Sequence, residues 1–135
     1  MKPILFGLAA IAIVLSSCKK EVDGNDSIIR PGTYTGTFQR QVAGAGTISN
    51  LTVTFSTAGW TGESQYAKYP ALCHGSYKLN SSHQITFENA CAWTAEFDWT
   101  LILSGDYKIV VDNNYVEFSK DYAGAFKDIY KLVRQ

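Results

Sequence analysis

From Thr33 onward, apolar and polar residues alternate with a period of two, and this alternation restricts the fold more than any other feature. In one run, Leu51, Val53 and Phe55 alternate with threonines. Successive side chains of a β-strand point to opposite faces, so each such run has one apolar and one polar face. No ten-residue stretch of this region keeps the 3.6 period of an amphipathic helix. The runs predict strands over about 33–41, 47–56, 59–66, 75–80, 84–91, 96–104, 107–112, 115–119 and 127–134.

The turns between these runs predict how the strands pair, because a slip of one residue would exchange the faces of a strand. Asn113-Asn114 suits a two-residue type I′ turn, which pairs Val111 with Val116. A three-residue turn further upstream pairs Leu103 with Tyr107. Both registers place apolar residues opposite each other, so both are predicted hairpins.

A third predicted hairpin brings two cysteines together. A short loop around Ser82 pairs Leu79 with Ile85, and the same ladder continued outward places Cys73 opposite Cys91. Directly opposed Cβ atoms lie close enough for a disulfide after modest closing. We therefore predict a Cys73–Cys91 disulfide, which closes a loop of about 20 residues and stabilises by roughly 3 kcal/mol.

Consecutive short strands with one apolar face close most simply into an up-and-down barrel, which leaves no exposed sheet edge. We predict one all-β domain over 32–135, a single antiparallel barrel of eight or nine strands, with a two-sheet sandwich as the alternative. An eight-stranded barrel is either filled by side chains or holds one small ligand. The inward aromatic residues, which would form either the core or the lining of a ligand cavity, are Tyr34, Phe38, Phe55, Trp60, Tyr77, Phe87, Trp99 and Tyr107.

The N-terminal segment has the order of an export signal. A positive Met1-Lys2 precedes an apolar run over 4–15, which at twelve residues is shorter than the about 20 needed to span a bilayer as a helix. The following Leu15-Ser16-Ser17-Cys18 resembles the bacterial lipobox, which implies cleavage after residue 17 and acylation of Cys18. Residues 18–31 are then a lipidated cysteine and flexible tether. In the enterobacterial sorting rule, Lys19 in place of an aspartate favours the outer membrane, on its periplasmic face or at the cell surface.

Composition and motifs exclude several functions. Loss of Lys2 with the signal leaves 11 basic against 12 acidic residues, and no basic patch stands out, so nucleic acid is not an expected partner. The only two histidines, His74 and His83, have no clustered carboxylates to complete a metal site, so no metal or cofactor is expected. Glu96 and Asp98 share one face of a predicted strand, as surface residues commonly do. We expect no enzyme and no catalytic residue.

One further segment stands out as a contact region. Residues 120–127 are predicted to be a long loop between Asp121 and Asp128, with Tyr122 and Phe126 near its tip. Exposed aromatic side chains on a loop indicate contact with another molecule. The same rings would alternatively fold back and plug the end of the barrel.

Three segments resemble a known type of domain. The opening Gly32–Phe38 segment, the Phe97–Tyr107 segment and the closing Ile129–Leu132 segment look like lipocalin-like (calycin) domains of small Bacteroidetes outer-membrane lipoproteins. The resemblance implies a barrel that binds a small hydrophobic ligand in the cell envelope. The alternative is a filled barrel that serves as an envelope structural module or binds an envelope protein partner.

Overall fold

The structure, a computed structural model, describes residues 29–135. The predicted signal peptide over 1–17, the lipid site Cys18 and most of the predicted tether lie outside the described residues. Within 29–135, no helix is long and apolar enough to cross a membrane.

Eight antiparallel strands form one closed barrel in which every strand pairs with its neighbours in sequence, and β1 pairs with β8. This confirms the predicted up-and-down barrel and excludes the sandwich. The strands are β1 (Gly32–Gln41), β2 (Ile48–Ser56), β3 (Gly59–Ser64), β4 (His74–Ser81), β5 (Gln84–Asn89), β6 (Gly105–Asp112), β7 (Tyr115–Tyr122) and β8 (Phe126–Arg134). A single 3₁₀ turn, Trp99–Leu101, lies between β5 and β6.

Two of the three predicted hairpin registers are confirmed. Val111 pairs with Val116 across the Asn113-Asn114 turn, and Leu79 pairs with Ile85 in the β4–β5 hairpin. Asn113 adopts a positive φ of 51°, a conformation that asparagine takes more readily than most residues. The period-two pattern and the turn residues together were therefore sufficient to set these registers.

The predicted pairing of Leu103 with Tyr107 is wrong, and so is the predicted strand over 96–104. β6 begins at Gly105 and pairs directly with β5, so that Tyr107 lies opposite Ile85. The Asp98 side chain accepts hydrogen bonds from the Thr100 backbone amide and hydroxyl, at 2.9 and 2.6 Å, and begins the 3₁₀ turn. Such local bonding by an aspartate competes with strand formation.

The predicted 120–127 loop is instead the end of the β7–β8 hairpin. The strands continue to Tyr122 and resume at Phe126, whose rings stack with centroids 4.4 Å apart. Asp121 accepts a hydrogen bond from the Gly124 amide in the connecting turn. The stacked rings extend the ladder over residues that the sequence marked as loop.

The apolar faces of the strands meet in one core, which also includes a residue assigned to the tether. Ile29 is buried in the core cluster. The Tyr34 hydroxyl donates a 2.7 Å hydrogen bond to the Arg30 carbonyl, and Arg134 donates two to the Pro31 carbonyl. The packed region therefore extends at least to Ile29, three residues before the predicted boundary at 32.

Candidate functional site

The two ends of the barrel differ in their connections. One end, here called the turn end, carries the short turns 57–58, 82–83 and 113–114, and the chain enters β1 there. The other, the loop end, carries the connections 42–47, 65–73, 90–104 and 123–125. Binding residues concentrate on loops held by a rigid scaffold, so the loop end is the candidate site.

Two long connections, 65–73 and 90–104, cover the loop end and are here called the lid loops. They join through a short parallel bridge in which the Ala71 amide donates to the Leu101 carbonyl and the Leu103 amide donates to the Ala71 carbonyl. Ala71 and Leu103 are fully buried. Because these bonds link residues 30 or more positions apart, no local sequence pattern indicated them.

Tyr69 attaches the first lid loop to the barrel rim. Its ring packs edge-on against Phe38 with centroids 5.1 Å apart, and its hydroxyl donates a 3.0 Å hydrogen bond to the Thr47 carbonyl. An aromatic body with a bonded hydroxyl suits a position at the edge of a core. The first lid loop is thus held to the barrel by both a ring contact and a hydrogen bond of Tyr69.

The predicted disulfide is confirmed and lies where both lid loops meet the β4–β5 hairpin. Cys73 ends the first loop, Cys91 is the second residue of the second loop, and their Cα atoms are 6.3 Å apart. His74 begins β4 beside them. The His74 ring nitrogen and the two sulfurs all lie within 4.8 Å of one another, a proximity that we did not infer from the hairpin register.

A buried ion pair lies under the rim between β1 and β8. Two guanidinium nitrogens of Arg40 donate 2.7 Å hydrogen bonds to the two carboxylate oxygens of Asp128, which is buried. A third contacts Asp98 at 2.9 Å. Burial lowers the pKa of Arg40, but the bonds and charge of Asp128 more than offset it, so the net shift is upward. Arg40 therefore joins the second lid loop to both strands.

Aromatic side chains flank this ion pair. The Arg40 guanidinium carbon lies 4.1 Å from the Phe126 ring centroid, a cation–π distance. The Tyr122 hydroxyl donates a 3.1 Å hydrogen bond to the carbonyl of Thr100 on the 3₁₀ turn. Tyr122 and Phe126, which the sequence suggested as contact residues or as a plug, thus help to hold the lid in place.

Tyr107 is the one described side chain beneath the lid whose buried hydroxyl makes no hydrogen bond of ordinary geometry. Burial raises its pKa strongly. Burial likewise raises the pKa of Tyr130, whose ring centroid lies 6.0 Å away. Both phenols therefore stay protonated at neutral pH, and the polar groups that interact with the Tyr107 hydroxyl include the Tyr130 side chain and the Ser104 backbone.

Seven of the eight predicted inward aromatic residues lie inside or at the edge of the core. Six are buried, and Tyr77 is half-buried. Trp99 is the exception: it lies on the 3₁₀ turn, is 56% exposed and does not line the interior. It points outward because Asp98 turns the chain there and the indole nitrogen donates to the Thr94 carbonyl.

The inward rings contact one another across the barrel. Phe87 has ring neighbours on five other strands, with centroids 4.8 to 6.5 Å apart: Phe55, Trp60, Tyr77, Tyr107 and Phe118. Phe118 in turn stacks on Tyr130 at 4.5 Å. This continuous network favours a filled interior over an open cavity.

Exposed apolar side chains concentrate at the loop end. Six large hydrophobic side chains are solvent-exposed among residues 29–135, and four of these lie at this end: Val42 (57%), Ile48 (56%), Tyr66 (47%) and Trp99 (56%). The remaining two, Val110 and Val133, lie on the outer faces of β6 and β8. Sequence reasoning did not single out Val42, Ile48 or Tyr66, because an apolar residue at the end of an alternating run looks like part of the core.

The weaker sequence candidates for chemistry are separated in space. Glu96 and Asp98 lie on a lid loop rather than a strand, and each faces a different cation, Lys68 at 4.0 Å and Arg40 at 2.9 Å. His83 is exposed in the predicted turn. The two acidic residues therefore do not form the close pair that the strand prediction placed on one face.

Searches for similar proteins give no functional assignment. The chain matches no protein-family model, no curated protein and no solved structure.

Proposed function

We propose that this chain is a lipoprotein of the cell envelope whose filled barrel presents the loop end for binding to another envelope protein. The anchor is Cys18, and the outer membrane is the expected location because Lys19 follows it. The partner contacts the exposed apolar surface formed by Val42, Ile48, Tyr66 and Trp99, here called the loop-end patch.

The position of the N-terminal segment supports this orientation. The chain that leads from Cys18 reaches the barrel at Ile29, at the turn end. An anchor on that side places the loop end away from the membrane. Two or three acyl chains hold a protein stably, since each buried methylene contributes about 0.8 kcal/mol.

The single observation that carries the proposal is the packing of the interior. Rings from β1, β2, β3, β5, β6, β7 and β8 contact each other at core distances. A ligand inside the barrel would have to displace them, whereas a partner at the loop end would not. The filled barrel, which the sequence left as the alternative, is therefore favoured for function.

The chemistry of the loop-end patch fits a protein partner. Exposed Trp and Tyr side chains are the residues most enriched at the centres of protein interfaces. Lys68 and Glu96 lie on the same lid loops as Tyr66 and Trp99 and supply charges at the rim. Apolar centres with charged rims are typical of specific, reversible interfaces.

A second candidate function is favoured by one observation. The buried Tyr107 hydroxyl makes no hydrogen bond of ordinary geometry within residues 29–135 and lies under the lid loops. An amphipathic small molecule that entered when the lid opened would supply an acceptor to this phenol. This is the lipocalin-like activity that the sequence resemblance implies.

Site-specific photo-crosslinking in intact cells tests the first candidate. A photoreactive amino acid replaces Trp99 or Tyr66 in the loop-end patch, and Val110 or Val133 in matched controls with similar exposure. We expect one discrete adduct from positions 99 and 66 and none from 110 and 133. Equal crosslinking at all four positions, or none at 99 and 66, contradicts the proposal.

Native mass spectrometry of the protein purified from its own cells separates the two candidates. A retained small molecule that is lost in Tyr107→Phe would support the internal ligand. The anchor is tested independently with Cys18→Ala, which we expect to leave the membrane fraction and to lose the acyl mass. Retention of residues 1–17 in the wild-type protein would contradict the anchor.

A further inference from the structure

We propose that Cys73, His74 and Cys91 form a redox-gated binding site for a thiophilic divalent cation such as zinc. In the oxidised protein the two sulfurs are joined and the site is closed. In the reduced protein the same sulfurs and the adjacent imidazole become three ligands, and the cation replaces the disulfide as the cross-link between the lid loops.

The three ligand atoms already lie together. The two sulfurs and an imidazole nitrogen lie within 4.8 Å of one another. Two ligands on a zinc ion are separated by about 3–4 Å, because Zn–S and Zn–N bonds are about 2.3 and 2.1 Å long in a tetrahedral site. Side-chain rotations, without a change in the fold, would bring them to coordination distance.

The backbone holds these residues in place by bonds other than the disulfide. The Cys73 carbonyl accepts a 2.8 Å hydrogen bond from the Gly62 amide, and the His74 carbonyl accepts a 2.9 Å bond from Ala90. On the opposite strand end, the Asn89 side chain donates a 2.7 Å bond to the Cys91 carbonyl. None of these bonds uses a sulfur atom, so reduction removes no donor or acceptor from them, and they favour a preorganised arrangement of the ligands in the folded reduced protein.

The site is also open to solvent. His74 is exposed, and both cysteines are partly exposed. An ion can therefore reach the sulfurs, and the fourth position of the tetrahedron remains available for water. Three protein ligands with one open position are the usual arrangement of a zinc ion that exchanges or reacts, whereas purely structural ions have four.

The disulfide is exchanged for a bound cation in two steps. A dithiol reductant transfers two electrons and two protons to the Cys73–Cys91 bond, which breaks to give two thiols while the reductant becomes a disulfide. The cation then binds both sulfurs as thiolates and the neutral imidazole, and two protons are released to solvent. Reoxidation by a disulfide of lower stability reverses the sequence and expels the cation.

The test uses the full chain with Cys18→Ser in every sample, because Cys18 is the only other cysteine. The protein is reduced with a dithiol, the dithiol is removed without air, and Co²⁺ is added as a spectroscopic substitute for zinc. We expect equimolar binding with thiolate-to-cobalt charge-transfer absorption in the reduced protein and none in the oxidised protein. Absence of this absorption after reduction overturns the proposal.

Variants then show whether the site is the predicted one. We expect His74→Ala to weaken binding by at least roughly 10–100-fold, because loss of an outer partner of a ligand already costs that much at metal sites and His74 is a direct ligand. His83→Ala, the matched histidine on the opposite hairpin end, is expected to bind as the parent does. Equal affinity of His74→Ala and the parent overturns the assignment of the imidazole as a ligand.

A stability measurement separates a folded site from cysteines that bind metal in an unfolded chain. We expect Zn²⁺ to raise the thermal midpoint of the reduced protein and to maintain its near-ultraviolet circular dichroism, because an ion that binds only the native state stabilises it. A reduced protein that stays unfolded in the presence of Zn²⁺ overturns the proposal. His74→Ala serves here as the control that loses the stabilisation.

Discussion

The two sides of the barrel are held together differently. On one side, β7–β8, β8–β1 and β1–β2 each pair eight residues. On the other, the β4–β5 hairpin joins its neighbours through two pairs with β3 and four with β6. The ladder hydrogen bonds that hold a strand to its neighbour are therefore scarce on both sides of this hairpin.

Side chains and the disulfide compensate for the short ladders. The indole nitrogen of Trp60 on β3 donates 3.2 Å hydrogen bonds to the carbonyls of Ser76 and Glu88, one on each strand of the hairpin. Gly75 permits this approach, because a Cβ atom there would overlap the Glu88 carbonyl and crowd the Trp60 nitrogen. The comparison indicates that the hairpin opens first, and that its stability depends on a few identifiable contacts.

Removal of the Phe87 ring is expected to destabilise the weakly paired side of the barrel more than any other single change. Phe87 is buried on β5 and contacts rings on both neighbouring sides of the barrel. We expect Phe87→Ala to lower the free energy of unfolding by about 3–5 kcal/mol, as is typical for a buried phenylalanine. Chemical denaturation measures the loss. Val110→Ala, at an exposed apolar position, is the control, with a change within about 0.5 kcal/mol. A loss from Phe87→Ala no larger than the control's would show that the hairpin is not held by its core face.

Removal of the disulfide is the next largest change. The double variant Cys73→Ser/Cys91→Ser frees a loop whose ends are separated by 18 positions. We expect a loss of about 3 kcal/mol, because the unfolded chain regains the entropy that the cross-link removed. Hydrogen exchange distinguishes the two sides: amides of β4 and β5 are expected to lose protection while those of β1 and β8 keep it. Uniform loss over all strands would contradict the comparison.

Replacement of Trp60 by phenylalanine directly tests what holds β3 to the β4–β5 hairpin, where β3 and β4 share only two residue pairs. Trp60→Phe keeps an aromatic ring but leaves the Ser76 and Glu88 carbonyls without this donor. We expect a cost of about 1–2 kcal/mol, since an unpaired buried polar group is penalised by about that amount. Trp99→Phe is the matched control, because its indole is exposed, and we expect it to change stability by less than about 0.5 kcal/mol. Equal costs for the two variants would show that the Trp60 hydrogen bonds do not hold the hairpin.

The sequence predicted the barrel and two hairpin registers because those features depend on alternation and on turn residues close in the chain. The Leu79–Ile85 pairing even led to the disulfide, since the cysteines follow from the same ladder. The prediction failed over 96–104, where apolar residues also alternate. There the hydrogen bonds that Thr100 donates to the Asp98 side chain hold the backbone in a 3₁₀ turn. The alternation of apolar and polar residues gives no sign of these bonds.

The candidate site was less accessible to sequence reasoning. Arg40 and Asp128, whose ion pair lies under the rim, are 88 positions apart, and the Ala71–Ile102 bridge joins two loops with no shared pattern. Pairing of β1 with β8 brings Arg40 to Asp128, and packing of the two lid loops on each other forms the bridge. The exposed Trp99 and Tyr66 could have been found only by knowing first where the strands end.

The smallest predicted effect concerns the link between the two sides of the barrel. Asp98 lies on a lid loop next to the weakly paired hairpin, and it contacts Arg40 on the well-paired β1. The side-chain hydrogen bond from Thr100, the Thr100 amide and the Arg40 charge hold the pKa of Asp98 below its ordinary 3.8. At a pH above the ordinary pKa, the charged carboxylate therefore contributes its full stabilisation of the lid. This contribution is lost as the pH falls through the lowered pKa of the folded state.

Since Asp98 is half-exposed and screened by solvent, we expect this contribution to the free energy of unfolding to be less than about 1 kcal/mol. A change in Trp99 fluorescence in that acid range, before global unfolding and absent in Asp98→Asn, would locate the transition at the lid. An identical acid transition in Asp98→Asn would show that this carboxylate does not couple the lid to β1.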